Sequence, residues 1–228
     1  MINAIKHRKI NIEICEDSLT SSILGTMLHL PTCLFWQILR QACYEKDNLP
    51  YHSGEIINLD FWPSWSAEGD DISNSQNVEP DVFIEFEGFN LIIEAKRYDI
   101  GGQYKQQWIN EINSFYNEYG EEKDLYFIAL GGCSDMGIEY IFSKSHNSIG
   151  INKCIWTLLL KETWLVNNSI ERQLYNDGQR FQLLRILKDV IEAFAQHGIL
   201  YTQWLCEIDS ANLNIDNKST DIFRCYER

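Results

Sequence analysis

Basic side chains are scarce in this sequence. Of its 228 residues, 19 are lysine or arginine and 33 are aspartate or glutamate, so the formal net charge is −14 at pH 7. Proteins dedicated to nucleic acid usually carry a basic surface, because they neutralise phosphates. The composition therefore argues against autonomous nucleic-acid binding, unless positive charge is local, metal ions screen the site or a partner holds the substrate.

The sequence also lacks a long apolar run. None approaches the roughly 18–20 apolar residues that a membrane-spanning helix needs. The N-terminal residues 1–9 have no apolar region of the kind found in a signal peptide. We therefore expect a cytoplasmic protein that does not associate with a membrane.

Paired cysteines are missing as well. The cysteines are odd in number and widely spaced, and neither Cys-x-x-Cys nor His-Glu-x-x-His occurs. These absences argue against a zinc site, and the mostly apolar surroundings indicate buried free thiols. The seven cysteines are Cys15, Cys33, Cys43, Cys133, Cys154, Cys206 and Cys225.

Hydrophobic residues make up 45% of the chain and aromatic residues 13%, enough for one large domain or a domain with an appendage. Apolar periodicity and turn signals predict helices at about 19–30, 32–44, 103–119 and 179–196. Strands are predicted at 55–62, 125–130 and 153–160, with a mobile loop at 64–78. A helix between two strands favours parallel pairing of those strands. The segment 199–206 stays open between strand and helix.

The most informative segment is a predicted β-hairpin. Residues 82–86 and 89–95 are rich in β-branched and aromatic side chains, and Glu87-Gly88 between them is a turn signal. We expect a two-residue turn with Gly88 at positive φ. Alternate positions of the hairpin are apolar, so one face can be buried; these positions are Val82, Ile84, Phe86, Phe89, Leu91, Ile93 and Ala95.

Counting outward from the turn places three polar residues together on the other face. If Phe86 faces Phe89, Asp81 lies directly opposite Glu94, with Cβ atoms about 4.5–5.5 Å apart. Lys96 follows Glu94 by two residues and therefore points to the same side. The hairpin thus predicts a pair of carboxylates and an amine on one face.

Such a carboxylate pair suits a hard divalent cation, Mg²⁺ or Mn²⁺. A metal ion held by Asp81 and Glu94 can polarise a phosphodiester and lower the pKa of a bound water. Lys96 can orient or deprotonate that water, or stabilise the transition state. The backbone carbonyl of Ala95 is a further candidate ligand. The alternative is that Glu94 and Lys96 are ion-pair partners on a solvated sheet face.

Pro80-Asp81, followed by Glu94-Ala95-Lys96 at the end of the next strand, resembles the PD-(D/E)xK motif of restriction-endonuclease-like nucleases. The resemblance covers about residues 16–131, including the order helix, strand, hairpin, helix, strand. It implies an α/β fold with a central mixed sheet flanked by helices in α-β-β-β-α-β order. The nuclease core would span residues 1–160, and a C-terminal helical extension packed on it would span 161–228.

The same resemblance implies roles for individual residues. It makes the two hairpin carboxylates metal ligands and Lys96 the catalytic lysine. Glu16, in a segment similar to the first helix of these enzymes, would be an additional ligand, although a glutamate at a helix N-terminus is also favourable by itself. Gln103 or Gln107, one turn apart on the following helix, would position substrate or water.

The implied activity is that of a Mg²⁺-dependent deoxyribonuclease. The acidity of the chain suggests that it works in a larger assembly, such as a prokaryotic restriction or phage-defence complex whose other subunits hold the DNA. Two alternatives are a non-catalytic interaction module that keeps the nuclease fold and an RNase of the same fold. The sequence does not separate DNA from RNA and leaves the oligomeric state open, a homo-oligomer included.

Overall fold

The structure is a computed structural model that describes residues 13–66, 77–142, 148–172 and 178–201. In these ranges the chain forms five α-helices and eight strands. The helices are α1 (Glu16–Met27), α2 (Thr32–Ala42), α3 (Lys105–Tyr119), α4 (Trp156–Glu171) and α5 (Gly178–Gln196). The strands are β1 (Ile56–Phe61), β2 (Trp65–Ser66), β3 (Asn77–Val78), β4 (Val82–Phe86), β5 (Asn90–Ala95), β6 (Leu125–Leu130), β7 (Glu139–Phe142) and β8 (Ser148–Cys154).

Six of these strands form one mixed sheet in the order β1-β4-β5-β6-β8-β7. The pairs β1–β4, β4–β5 and β8–β7 are antiparallel, whereas β5–β6 and β6–β8 are parallel. β2 and β3 form a separate two-stranded ribbon. The fold is therefore α/β with a mixed central sheet flanked by helices, and the predicted parallel pairing around the central helix is confirmed.

The hairpin register predicted from the sequence is confirmed. Within β4 and β5, Val82 pairs with Ile93, and Ile84 pairs with Leu91. The turn is closed by the N–H of Phe86, which donates to the carbonyl of Phe89 at 2.9 Å. The expectation of a positive φ at Gly88 is wrong, because Gly88 is not among the glycines of the described residues that have positive φ.

Helices cover both faces of the sheet. One face packs on α1, α2, α4 and α5, and the alternate hairpin positions predicted to be apolar and buried all lie in this core. The other face packs on α3 and on the β2–β3 ribbon through a smaller cluster. That cluster includes Trp65, Phe83, Ile92, Trp108, Ile112, Phe115 and Phe127. Burial on both faces means that any polar residue near the middle of this sheet is removed from water.

The strand predicted at 153–160 is wrong from residue 155 onward. β8 ends at Cys154 and α4 begins at Trp156, so the apolar run changes from strand to helix inside the predicted element. Trp156, Leu159 and Leu160 recur at helical spacing and are all buried. The start of α4 is fixed from a distance, because the Asp99 carboxylate accepts the N–H of Trp156 at 2.7 Å.

The first helix also begins earlier than predicted. α1 starts at Glu16, and its cap is Cys15. The N–H of Cys15 donates to Ser18 Oγ at 3.0 Å, and the N–H of Ser18 donates to Cys15 Sγ at 3.4 Å. A reciprocal cap of this kind leaves Glu16 in the first turn of the helix.

Other expectations fall partly on segments that the structure does not describe. The predicted loop at 64–78 is wrong at its two ends, where residues 65–66 and 77–78 form β2 and β3. Its residues 67–76 lie outside the described residues, as do 202–228. The boundary expected at residue 160 falls inside α4, whose side chains share one core with α5. No helix of the described segments is long and apolar enough to cross a bilayer.

Gly131, directly after β6, allows the backbone to pass close to the end of β5. It has a φ of +72°, and a Cβ there would overlap the Lys96 carbonyl oxygen and lie 2.9 Å from both the Tyr98 carbonyl oxygen and Trp156 Nε1. Gly101 has a similar φ of +78° but open space around the same position.

We therefore expect Gly131→Ala to lower the free energy of unfolding, measured by urea denaturation, by at least about 2 kcal/mol more than Gly101→Ala. Gly101→Ala is the matched control because it carries the backbone strain alone. Equal losses in the two variants would show that the close approach at Gly131 does not constrain the fold.

Candidate functional site

Asp81 and Glu94 lie on the sheet face that packs against α3. Asp81 directly precedes β4, and continuing the hairpin register places it opposite Glu94 on β5. Asp81 Oδ2 accepts the N–H of Ala95 at 2.7 Å, and its Oδ1 accepts Trp62 Nε1 at 3.1 Å. Asp81 is 7% exposed and Glu94 2% exposed. The carboxylate pair is therefore buried, and the alternative of a solvated sheet face does not describe it.

Lys96 links a third carboxylate, that of Glu16, to this position. Its Nζ lies 2.5 Å from Glu94 Oε1 and 3.3 Å from Glu16 Oε1. Glu16 Oε2 in turn accepts the backbone N–H of Arg97 at 3.0 Å. α1 thus reaches around the end of β5 and contributes Glu16 from 80 residues away in the sequence.

Two glycines pack against the aliphatic part of Lys96. A Cβ at Gly132 would lie 2.8 Å from Lys96 Cβ, and one at Gly102 would lie 3.5 Å from Lys96 Cδ. Both glycines have positive φ, at +64° and +108° respectively. The lysine stem is therefore confined between two loops.

The two glutamines predicted for the site play different parts. Gln107 Nε2 donates to Glu94 Oε1 at 2.6 Å and so holds the carboxylate directly. Gln103 Nε2 donates to the backbone carbonyls of Glu94 and Gly131, at 3.0 and 3.2 Å, and its Oε1 accepts Trp108 Nε1. Gln107 is therefore the glutamine at the carboxylate, whereas Gln103 fastens the start of α3 to two strand ends.

Glu111 is a member of the cluster that the sequence reasoning missed. It lies on α3 one turn after Gln107, and it is 1% exposed. The Oε2 atoms of Glu94 and Glu111 are both buried without a hydrogen-bond donor from the described residues. The spacing of four residues that singled out Gln103 and Gln107 leads to Glu111 at the next step, so the signal was present in the sequence.

Burial dominates the electrostatics of these acids. Burial, and then the charge of Glu94, raise the pKa of Asp81 to about 7, although the Ala95 N–H and Lys96 oppose this. Burial also raises the pKa of Glu94, against the opposing effect of Lys96. The pKa of Glu111 is raised well above its usual range by burial and then by the charge and hydrogen bond of Glu94. A protonated Glu111 can therefore donate to Glu94.

Lys96 is the cation that faces these acids. Burial lowers the pKa of Lys96, but the carboxylates of Glu94, Glu16 and Asp81 together raise it by more. The side chain therefore stays an ammonium ion. One ammonium group thus faces three carboxyl groups.

The donor atoms of the cluster suit a hard divalent cation. Asp81, Glu94 and Glu16 offer oxygen only, and Glu94 Oε2 lacks a donor. Within the described segments, no group of three or more His, Cys, Asp or Glu side chains already stands arranged as a metal cage. Lys96 lies between Glu94 and Glu16, so an ion held by both of these carboxylates would require it to move aside. The residues fit Mg²⁺ or Mn²⁺ on this condition.

A raised pKa at Asp81 predicts a definite pH dependence of stability. Its ordinary pKa of 3.8 applies to the unfolded chain, and its pKa of about 7 applies to the folded chain. The folded state then holds the proton more tightly, so stability falls as the pH rises through this window. Without divalent metal, we expect the wild type to lose about 3 kcal/mol more than Asp81→Asn between pH 5 and pH 8.

Urea denaturation in EDTA at the two pH values measures this loss. Glu118→Gln, at an exposed position near the end of α3, serves as the control and should keep the wild-type pH dependence. Addition of Mg²⁺ or Mn²⁺ at pH 8 should restore stability in the wild type but not in Asp81→Asn. Equal pH profiles for wild type and Asp81→Asn would contradict the assignment of Asp81 as a buried acid with a raised pKa.

Comparison with known proteins gives one relative over most of the chain. The chain is 30% identical over 202 residues to "Uncharacterized protein PM0110" of Pasteurella multocida (strain Pm70), and the aligned region covers 83% of the chain and 73% of that protein. No protein-family model matches the chain, and no solved structure matches it significantly. Identity at this level over most of both lengths shows common descent, and the chain belongs to the same family as the Pasteurella multocida protein.

Proposed function

We propose that the chain is a metal-dependent nuclease that hydrolyses DNA phosphodiester bonds. The observation that carries the proposal is the buried cluster at the end of β5. There Asp81 is tied to the Ala95 amide, and Lys96 lies between Glu94 and Glu16. Two carboxylates and an ammonium group at adjacent strand ends are the groups that metal-assisted phosphodiester hydrolysis needs.

The arrangement of the elements supports the same reading. We take α1, β1, the β4–β5 hairpin, α3 and the parallel strand β6 as the elements of a restriction-endonuclease-like core, with α2 and the β2–β3 ribbon as insertions. The candidate residues stand on three of these elements and converge at the end of β5. We therefore propose that the chain is an enzyme of the PD-(D/E)xK type.

Asp81 and Glu94 would hold Mg²⁺ or Mn²⁺, with Glu16 and the backbone carbonyl of Ala95 as further oxygen ligands. A bound ion of this kind polarises the scissile phosphate and activates water. Asp81 is oriented for this task by the Ala95 N–H and by Trp62 Nε1. Both hydrogen bonds lock the carboxylate without consuming all of its lone pairs.

Lys96 would stabilise the negative charge that develops on the phosphate oxygens. Its stem is confined by glycine packing, so the ammonium group stays near the site when it moves away from Glu94. A preorganised cation in a site with little water acts strongly on charge that develops during the reaction. The confinement of Lys96 therefore serves catalysis better than a mobile surface lysine would.

The residues of α3 would act through Glu94 rather than on the substrate. Gln107 donates a hydrogen bond to Glu94 Oε1, and the buried acid Glu111 also interacts with Glu94. Gln103 joins the start of α3 to the carbonyls of Glu94 and Gly131. α3 thus serves as the support that orients one of the two metal-binding carboxylates.

The acidity of the chain bears on its biological setting. A net charge of −14 repels a polyanion, so autonomous binding of long duplex DNA is unfavourable. We propose that the chain is the effector subunit of a prokaryotic restriction or phage-defence complex, in which other subunits hold the DNA. Assays therefore require both the chain alone and the chain mixed with the proteins encoded beside its gene.

The decisive variant is Lys96→Ala. Loss of one charged transition-state contact commonly costs a factor of about 10²–10³ in rate, so we expect plasmid cleavage in Mg²⁺ to fall by at least that factor. Lys123→Ala is the matched control. Lys123 also pairs with a hairpin glutamate, Glu85 at 2.6 Å, but it precedes β6 and so lies at the opposite end of the sheet.

Cleavage is measured with and without EDTA, and folding is checked by thermal melting. Lys123→Ala should cleave at the wild-type rate. Wild-type cleavage by Lys96→Ala would show that the lysine is only an ion-pair partner. Absence of any metal-dependent cleavage, with the chain alone and with its neighbouring gene products, would favour a non-catalytic interaction module.

A further inference from the structure

Exposed hydrophobic side chains collect around the candidate site. Large hydrophobic residues with high exposure occur in the loop after β5, in the loop after β6 and at the end of β1. They are Trp62, Tyr98, Ile100, Tyr104 and Met136, with exposures between 38% and 79%. Scattered exposed hydrophobic residues need no explanation, but a group beside a candidate active site marks a binding surface.

The loop that carries two of these tyrosines is held firmly. The N–H of Gly132 donates to the Tyr98 carbonyl at 2.5 Å, and the N–H of Cys133 donates to the Asp99 carbonyl at 3.0 Å. The Asp99 carboxylate also caps α4. Tyr104 is fixed at the other end of the loop, where it is the N-cap residue of α3. Both phenol rings therefore project from anchored backbone, which lowers the entropy cost of binding.

Each aromatic residue is adjacent to a residue of the site. Tyr98 follows Lys96 by two positions, and Tyr104 follows Gln103 directly. Trp62 donates its indole N–H to Asp81, and part of its ring remains accessible at 38% exposure. A ligand that lies on the Trp62 ring would therefore also lie next to the Asp81 carboxylate.

The same loop is richer in basic than in acidic residues, although Lys96 is paired with Glu94 and Glu16, and Lys105 is paired with Glu139 at 2.8 Å. Residues 96–105 contain Lys96, Arg97 and Lys105 but only one acid, Asp99, in a chain whose net charge is −14. The Arg97 guanidinium lies over the Tyr98 ring, 5.1 Å from its centroid. Aromatic faces interleaved with basic groups are typical of surfaces that bind unpaired nucleotides, because bases stack on the rings and phosphates meet the cations.

We propose that Tyr98, Tyr104 and Trp62 form a stacking surface for unpaired nucleotides, which makes a single-stranded nucleic acid, or a single-stranded segment, the substrate of the site. Bases inside a duplex already stack on each other and cannot lie on these rings. Stacking also supplies affinity that does not depend on a wide basic surface, which this acidic chain lacks. The inference rests on the proposed nuclease function for the chemistry but not for the binding.

Binding is tested by fluorescence anisotropy with the full chain in EDTA. The probes are labelled oligo(dT) and oligo(U) of about 15 nucleotides, within the range that one such surface covers, and a dA·dT duplex of equal length. We expect both single strands, or one of them, to bind at least about tenfold more tightly than the duplex. The comparison of oligo(dT) with oligo(U) separates DNA from RNA.

Tyr98→Ala and Tyr104→Ala should each weaken single-strand binding about tenfold, because one stacked base is lost. Tyr98→Trp should retain it. Tyr51→Ala is the matched control. Tyr51 is 75% exposed, and the Arg40 guanidinium lies over its ring, 5.5 Å from the ring centroid, but the residue belongs to a different surface. Equal binding of duplex and single strands, or equal effects of Tyr98→Ala and Tyr51→Ala, would overturn the inference and leave the rings for a protein partner.

Cleavage of the same probes in Mg²⁺ separates the two proposals. Duplex cleavage at a rate unchanged by Tyr98→Ala and Tyr104→Ala would overturn the stacking surface and keep the nuclease. Single-strand binding that depends on both tyrosines, with no cleavage in Mg²⁺ or Mn²⁺, would keep the surface and overturn the nuclease. Cleavage of single strands that falls in both tyrosine variants supports both.

Discussion

The rest of this site depends on one constraint, which is that several acidic side chains are buried beside a single lysine. Asp81 and Glu94 are buried beneath α3, and Glu111 is buried on α3 itself. Lys96 is the cation that faces these acids. An ionised carboxylate removed from water is costly unless it is paired and hydrogen-bonded. The protein meets the cost in part with N–H donors and with pKa values raised by burial at all three acids. We propose that a divalent cation completes the cluster.

The fold serves this cluster by bringing together segments that are far apart in the chain. The hairpin supplies Asp81 and Glu94, and α1 reaches the end of β5 with Glu16. The chain then passes close to Lys96 at Gly131, where a side chain would not fit. The parallel pairing of β5 with β6 places that turn beside the C-terminal end of β5. The candidate site thus depends on how several elements meet at these strand ends and not on one motif alone.

Local pattern and non-local contact separate what could be predicted from what could not. The alternation of the hairpin placed Asp81 opposite Glu94, since a period of two and a tight turn define the register. The start of α4 could not be read in the same way, because its cap is Asp99, 57 residues earlier. The burial of Glu94 was also hidden, since it depends on α3 folding over the sheet. Glu111 was within reach at the next step of a spacing already recognised.

The most direct measurement is a crystal structure of the protein with Mn²⁺, located by its anomalous scattering. The account predicts a peak about 2.1 Å from carboxylate oxygens of both Asp81 and Glu94. It also predicts that the Lys96 ammonium group has moved away from Glu94 while its stem stays between Gly102 and Gly132. A structure at saturating Mn²⁺ with no peak there, and with Lys96 still bridging Glu94 and Glu16, would contradict the account.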